Sequence, residues 1–154
     1  MTSLTAHGIC NAIGGQLVSG PFERVASGGV CTDSRALAPH AVFFALGGEK
    51  FDGNLFAPEA SRTAAVVVSR VEPGIDPSCA VILVEDTLTA LQKLASWWRS
   101  NLKLIVVGLT GSNGKTSTKD LTAAVLSRKF RTVATEGNLN NHIGVPLSIL
   151  KAEP

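Results

Sequence analysis

The apolar run Leu104-Ile105-Val106-Val107-Gly108-Leu109 is followed by Thr110-Gly111-Ser112-Asn113-Gly114-Lys115-Thr116 and then by a helix-competent stretch. Few residue orders constrain a fold more tightly, because strand, glycine turn and helix in succession bring several backbone N–H groups to one point at a helix N-terminus. Glycines at 111 and 114 let the chain turn with those groups facing inward, and Lys115 adds a cation suited to the outer phosphates of a triphosphate such as ATP. Thr116 offers a hydroxyl to a magnesium ion. The expectation is a buried strand over 104–109 feeding a phosphate-binding loop made by Gly111, Ser112, Asn113, Gly114, Lys115, Thr116 and Ser117. Leu109 stands where the common pattern has its first glycine, so the loop is a shortened Gly-x-x-Gly-Lys-Thr form. The competing reading is an ordinary helix start capped by Thr110 or Ser112.

With 154 residues and 45% hydrophobic content the chain can bury a core as one domain or two small ones. Its net charge of +2 and the lack of any basic cluster longer than Arg128-Lys129 argue against nucleic acid as a partner. Apolar stretches are strand length, well short of the ~20 residues of a membrane helix. The start, Met1-Thr2-Ser3-Leu4, shows no secretory pattern, so a cytoplasmic protein without membrane insertion is expected. Cys10, Cys31 and Cys79 are odd in number and widely spaced, which predicts buried, reduced thiols in place of a disulfide framework or zinc site.

Residues 2–13 read as a helix ended by Gly14-Gly15, residues 30–32 and 41–46 as strands, 54–62 as a short helix, and 65–68 and 81–84 as strands. From 87 to 101 apolar residues recur at helical spacing, with Thr87 available as a cap and the Trp97-Trp98 pair assigned to packing. A helix over 115–129, a strand over 131–135 and a helix over 143–150 complete the pattern, Pro146 falling in the first turn of the last. The fold class is therefore α/β: a small N-terminal α/β block over 1–85, then the start of a phosphate-loop, parallel-sheet block over 86–154. About two strands remain after residue 104, too few for a doubly wound sheet, and no later acidic strand end completes a magnesium site, so the chain is expected to be a fragment.

Three further segments concentrate polar chemistry. Thr32-Asp33-Ser34-Arg35 follows a strand and Phe51-Asp52-Gly53-Asn54 precedes a helix, and either could be turn and cap chemistry alone. The third, residues 136–146, gathers Asn138, Asn140, Asn141 and His142 with two glycines ahead of a helix, a density of amide groups that an ordinary connection does not need.

In this order, Thr-Asp-Ser-Arg, Val-Phe-Phe-Ala-Leu-Gly-Gly-Glu, Phe-Asp-Gly-Asn, Gly-Ser-Asn-Gly-Lys-Thr-Ser and Gly-Asn-Leu-Asn-Asn-His-Ile-Gly-Val-Pro, the chain resembles the Mur ligases of peptidoglycan synthesis. The resemblance runs from about residue 30 to 150, and the stretch 138–146 points within the family to the member acting on UDP-N-acetylmuramoyl-tripeptide and D-alanyl-D-alanine. It implies a UDP-binding domain, a central ATPase domain and a C-terminal domain in a monomer, with ATP and Mg2+ as cofactors and amide formation through an acyl phosphate. It further implies uridine-nucleotide contacts at Asp33, Ser34 and Arg35 and catalytic roles for Lys115 and Thr116, Thr116 also as a metal ligand. Asn138, Asn140, Asn141 and His142 would face substrate. Asn54 departs from the family pattern, which often has histidine there, and His40 stands where a glycine often follows Pro39. A non-catalytic sugar-nucleotide-binding module, or another Mur ligase such as the one adding the third peptide residue, are the alternatives.

Overall fold

The computed structural model describes residues 4–48, 51–137 and 139–153. Its centre is a five-stranded sheet of β1 (Gln16–Ser19), β2 (Val30–Cys31), β3 (Val42–Phe44), β6 (Ala65–Val68) and β7 (Ala80–Leu83), in the order β1-β7-β6-β3-β2. β2, β3, β6 and β7 run parallel, and β1 closes one edge antiparallel to β7. Between β3 and β6 lie a small hairpin of β4 (Gly47–Gly48) and β5 (Phe51–Asp52), a 3-10 turn over Gly53–Phe56 and the short helix α2 (Ala57–Ala60). The class is α/β, as the alternating strands and helices led us to expect; the parallel-sheet core lies within residues 30–83, and the 86–154 block, where a parallel sheet was expected to begin, contributes no described strand.

Both faces of the sheet are buried, and the side chains divide between them with period two. Val42, Phe44, Ala65, Val67, Ala80 and Ile82 face α1 (Ala6–Ile13) and α3 (Thr87–Ser100), meeting Ile9, Ile13, Leu91 and Leu94. Phe43, Val66, Val68 and Val81 face α2 with Ala57 and Ala60. Ile143, Leu147 and Leu150 of the α5 region (α5, Gly144–Leu150) join the first of these cores, so α5 lies against α3. Trp98 Nε1 donates to the Ala152 carbonyl at 2.7 Å, which ties the chain beyond α5 to the same helix. No helix among the described residues is long and apolar enough to cross a membrane.

Several expected boundaries move for identifiable reasons. Thr5, whose hydroxyl accepts from Gly8 N, caps α1, and Gly14 ends it at φ 70°. The expected helix over 54–62 is a 3-10 turn capped by Asp52 that passes into α2, and Pro58 sits in the first turn of α2. Asp86, not Thr87, caps α3, and the buried Thr87 hydroxyl donates to the Ala45 carbonyl at the end of β3. Cys10 and Cys79 are buried and burial raises both thiols, Cys79 to about 11, but Cys31 is half-exposed, so only two of the three expected buried thiols are buried.

Two expected strands do not form. Residues 103–113 have no regular structure, and Ile105 is 90% exposed; residues 131–135 likewise enter no ladder. A doubly buried parallel strand depends on neighbours for its N–H and C=O groups, and no described strand is aligned with either run. The helix after the glycine loop, α4 (Lys115–Leu126), does form, with Leu121 and Val125 exposed.

Candidate active site

The four parallel strands point their C-terminal ends to one edge of the sheet, the edge at which open α/β sheets bind ligands. The segments that follow β2, β3, β6 and β7 therefore gather there. Asp33, directly after β2, accepts from Arg35 N and caps a 3-10 turn over Ser34–Ala36. Its two carboxylate oxygens also receive Arg35 Nε at 2.9 Å and Nη2 at 2.8 Å, a forked pair. The Arg35 side-chain bonds, followed by the backbone bond, hold the Asp33 carboxyl at about 2, below the ordinary carboxylate range, and the guanidinium is shifted upward in turn. Asp33 thus stays ionised far into acid, and Arg35 is largely open to solvent with a counter-ion already beside it. Ser34 is half-buried.

Next along the edge, Asp52 caps the turn that begins at Gly53. Gly53 is backed by main chain: a Cβ there would lie 2.3 Å from the Leu46 carbonyl oxygen. Asn54 is buried at 4% exposure. Its Nδ2 donates to Asp52 Oδ1 at 2.7 Å and Ser69 Oγ at 3.0 Å, while its Oδ1 accepts from Ser69 N at 2.9 Å and Arg70 N at 3.2 Å. This one side chain joins the hairpin to the end of β6. Arg70 adds ion pairs to Asp52 and Glu72 at the surface.

The glycine loop has the backbone expected of a phosphate cradle. Gly114 is the N-cap of α4 at φ 77°, and Gly111 has φ 150°. Neither Thr110 nor Ser112 caps the helix; no side chain does, so the first-turn N–H groups of α4 face open space. A Cβ at Gly114 would meet nothing within 4 Å, so that glycine is required by its left-handed backbone and not by crowding. Lys115, exposed, folds back to donate to the carbonyls of Gly111 and Ser112. Asn113, Thr116 and Ser117 are exposed as well.

In the asparagine-rich segment Asn138 lies outside the described residues. Asn140 and His142 are exposed. Asn141 Oδ1 accepts from Ile143 N at 3.1 Å and Gly144 N at 2.7 Å, so part of its polarity starts α5. Gly144 is buried where a Cβ would lie 2.6 Å from Leu139 Cβ, which lets the loop close onto the helix. Gln92 Nε2 of α3 donates to the His142 carbonyl at 3.2 Å, and Lys151 pairs with Glu136 at 2.6 Å. Among the described residues no hydrogen bond or ion pair joins 33–35 to the glycine loop or to 139–142, whereas α4 and the asparagine-rich segment are joined directly through Lys119.

Residues 109–154 match the model of the Mur ligase middle domain. The chain is 45% identical to a UDP-N-acetylmuramoyl-tripeptide–D-alanyl-D-alanine ligase of Bacillus subtilis over 97% of its own length and 33% of that protein's. The corresponding figures for the ligase of that name in Escherichia coli are 41%, 100% and 33%. This chain belongs to the Mur ligase family. A crystal structure of MurF from Acinetobacter baumannii superposes with a TM-score of 0.80 at 35% identity, covering 99% of this chain and 34% of that one. MurF ligase from Thermotoga maritima, in complex with ADP, does so at 0.68 with 38% identity, covering 81% of this chain and 29% of that one. The chain thus spans about a third of the length of the Mur ligases it matches.

Sequence reasoning missed Asn54 as a junction and Gln92, Lys119 and Lys151 as grips on the asparagine-rich loop of this Mur ligase segment. Lys119 alone left a readable sign, since it lies four residues after Lys115 and so shares its side of α4.

Proposed function

We propose that the protein containing this chain is an ATP-dependent amide-forming ligase that joins D-alanyl-D-alanine to UDP-N-acetylmuramoyl-tripeptide in peptidoglycan precursor synthesis. The observation that carries the reading is the start of α4: a left-handed glycine cap, N–H groups with no side-chain cap, and an exposed Lys115 and Thr116 beside them. The relatives' names supply the substrates, and the ADP held by the Thermotoga maritima protein supports a nucleotide at the glycine loop. In this reading residues 1–85 bind the UDP moiety and 86–154 open the ATP-binding domain, α3 packing on both. The parent works as a cytoplasmic monomer, and 154 residues alone are inactive.

ATP with Mg2+ supplies an activated phosphoryl group that turns a carboxylate into an acylating agent. The N–H groups of residues 112–116 cradle its phosphates, and Lys115 exchanges the Gly111 and Ser112 carbonyls for phosphate oxygens, neutralising charge that grows in the transition state. Thr116 is the group of this chain assigned to the metal; among the described residues no cluster of three or more His, Cys, Asp or Glu side chains could hold one. Asn140, Asn141 and His142, with Asn138, orient the substrate across from that loop. Asp33 and Ser34 accept from and donate to the uridine end, and Arg35 forks onto its diphosphate.

Arg35→Ala in the full-length protein tests this division of labour. The KM for UDP-N-acetylmuramoyl-tripeptide is expected to rise about tenfold, as loss of a charge-assisted bond implies, with the KM for ATP within about twofold of wild type. An equal rise in both constants removes Arg35 from the sugar-nucleotide site.

A further inference from the structure

Lys119 is unlike the other lysines of the nucleotide half. Its side chain is only 18% exposed although it lies on a helix with no buried residue. Its ammonium donates to the carbonyls of Thr135 at 2.6 Å and Gly137 at 3.3 Å and pairs with Asp120 Oδ1 at 3.0 Å. Two main-chain carbonyls accept from this ammonium, and the Asp120 carboxylate lies beside it as an ion pair. A largely sheltered cation with two carbonyl acceptors is held in place, because leaving them means stranding charge away from water. Lys115, one turn earlier, is exposed and rests on its own loop, so it is free to swing to a ligand.

The two carbonyls that Lys119 grips belong to the irregular stretch that enters the asparagine-rich loop. The other end of that loop is fixed independently, by Asn141 on the amides of Ile143 and Gly144, by Gln92 on the His142 carbonyl, and by the close approach of Gly144 to Leu139. The entering end carries the Glu136–Lys151 pair, both partners more than half exposed, and an exposed pair of this kind holds little.

We propose that Lys119 is a positioning residue that fixes the entry to the asparagine-rich loop onto the glycine-loop helix, setting the sugar-nucleotide contacts of that loop in register with the nucleotide phosphates. This rests on the proposed ligase reading. Lys119 touches neither reactant, and its effect passes through the backbone of Thr135 and Gly137.

The test compares Lys119→Met and Lys119→Gln in the full-length protein, with Lys115→Ala as the control. Loss of bonds from a charged donor makes amide exchange in the peptide spanning 136–144 about tenfold faster in Lys119→Met, with a peptide from α3 unchanged. The KM for UDP-N-acetylmuramoyl-tripeptide is expected to rise about tenfold while that for ATP stays within about twofold, a split that general loss of structure does not produce. Unchanged loop exchange, or an equal rise in both KM values, overturns the proposal. Should Lys119→Met not fold, Lys119→Gln, which keeps two donors but loses the charge, carries the same criteria at about threefold. If the full-length protein does not act on the sugar-nucleotide at all, or Lys115→Ala is fully active, the ligase reading fails. The exchange measurement needs no turnover and still decides whether Lys119 holds the loop.

Discussion

Lys115→Ala in the full-length protein is expected to lower kcat with ATP and magnesium by about a hundredfold or more and to leave the melting temperature within a few degrees. The two effects separate because Lys115 is exposed and its partners in the free protein are carbonyls of its own loop, which water can replace. Contacts of that kind contribute about 0–1 kcal/mol to stability. A cation placed on a transferring phosphoryl group contributes on the order of 3 kcal/mol to the transition state, which is the hundredfold. Steady-state kinetics and a thermal melt on the same preparation check both halves. A fully active variant would remove the phosphate-loop assignment, and a large drop in melting temperature would show that the lysine is structural.

The central sheet was legible because β3, β6 and β7 are apolar runs rich in β-branched residues, and such runs are stable only when both faces are covered. β1 escaped because Gln16-Leu17-Val18-Ser19 is short and mostly solvent-facing, an edge strand with no strong period. The same logic misled at 104–109. Apolarity reports how much cover a segment needs, whereas the cover comes from other strands, and no described strand lies beside this one. The backbone of the glycine loop and the helix start behind it were readable, since their determinants are local: glycines, a lysine and a helix start within a few residues. Lys119 and Asn54 were not, because the contacts that tie them to distant segments include main-chain atoms 15 to 18 residues away, and a backbone carbonyl or amide leaves no mark in a sequence. Asn141 stood out through the density of amides around it, which marked a binding loop, and the structure gives its Oδ1 an occupation at the start of α5.

Asn54→Ala is expected to cost about 3 kcal/mol, the sum of several buried bonds, each worth about 1 kcal/mol, and of groups left without partners. The amides of Ser69 and Arg70 lose their shared acceptor, and Asp52 loses the donor that contributes most to holding its carboxyl below the ordinary range. For the 154 residues, whose α3 and α5 share the core of the sheet, that is a fall of about 6 to 12 °C in the unfolding midpoint. Asn54→Asp distinguishes lost bonds from lost shape. It keeps the acceptor for Ser69 and Arg70 but sets a second carboxylate where Nδ2 now lies 2.7 Å from Asp52 Oδ1. Burial and the like charge raise the introduced carboxyl above its unfolded value, so its anion destabilises at neutral pH, and the deficit relative to wild type should shrink as pH falls through that raised pKa. Asn54→Ala has no such group, and its deficit should not shrink in that way. Denaturant titrations of both variants at pH 7 and at about pH 5 separate the cases, the lower pH being where a raised carboxyl begins to protonate. A loss below about 1 kcal/mol for Asn54→Ala would mean that water enters and serves the Ser69 and Arg70 amides, and that Asn54 does not hold the hairpin to β6.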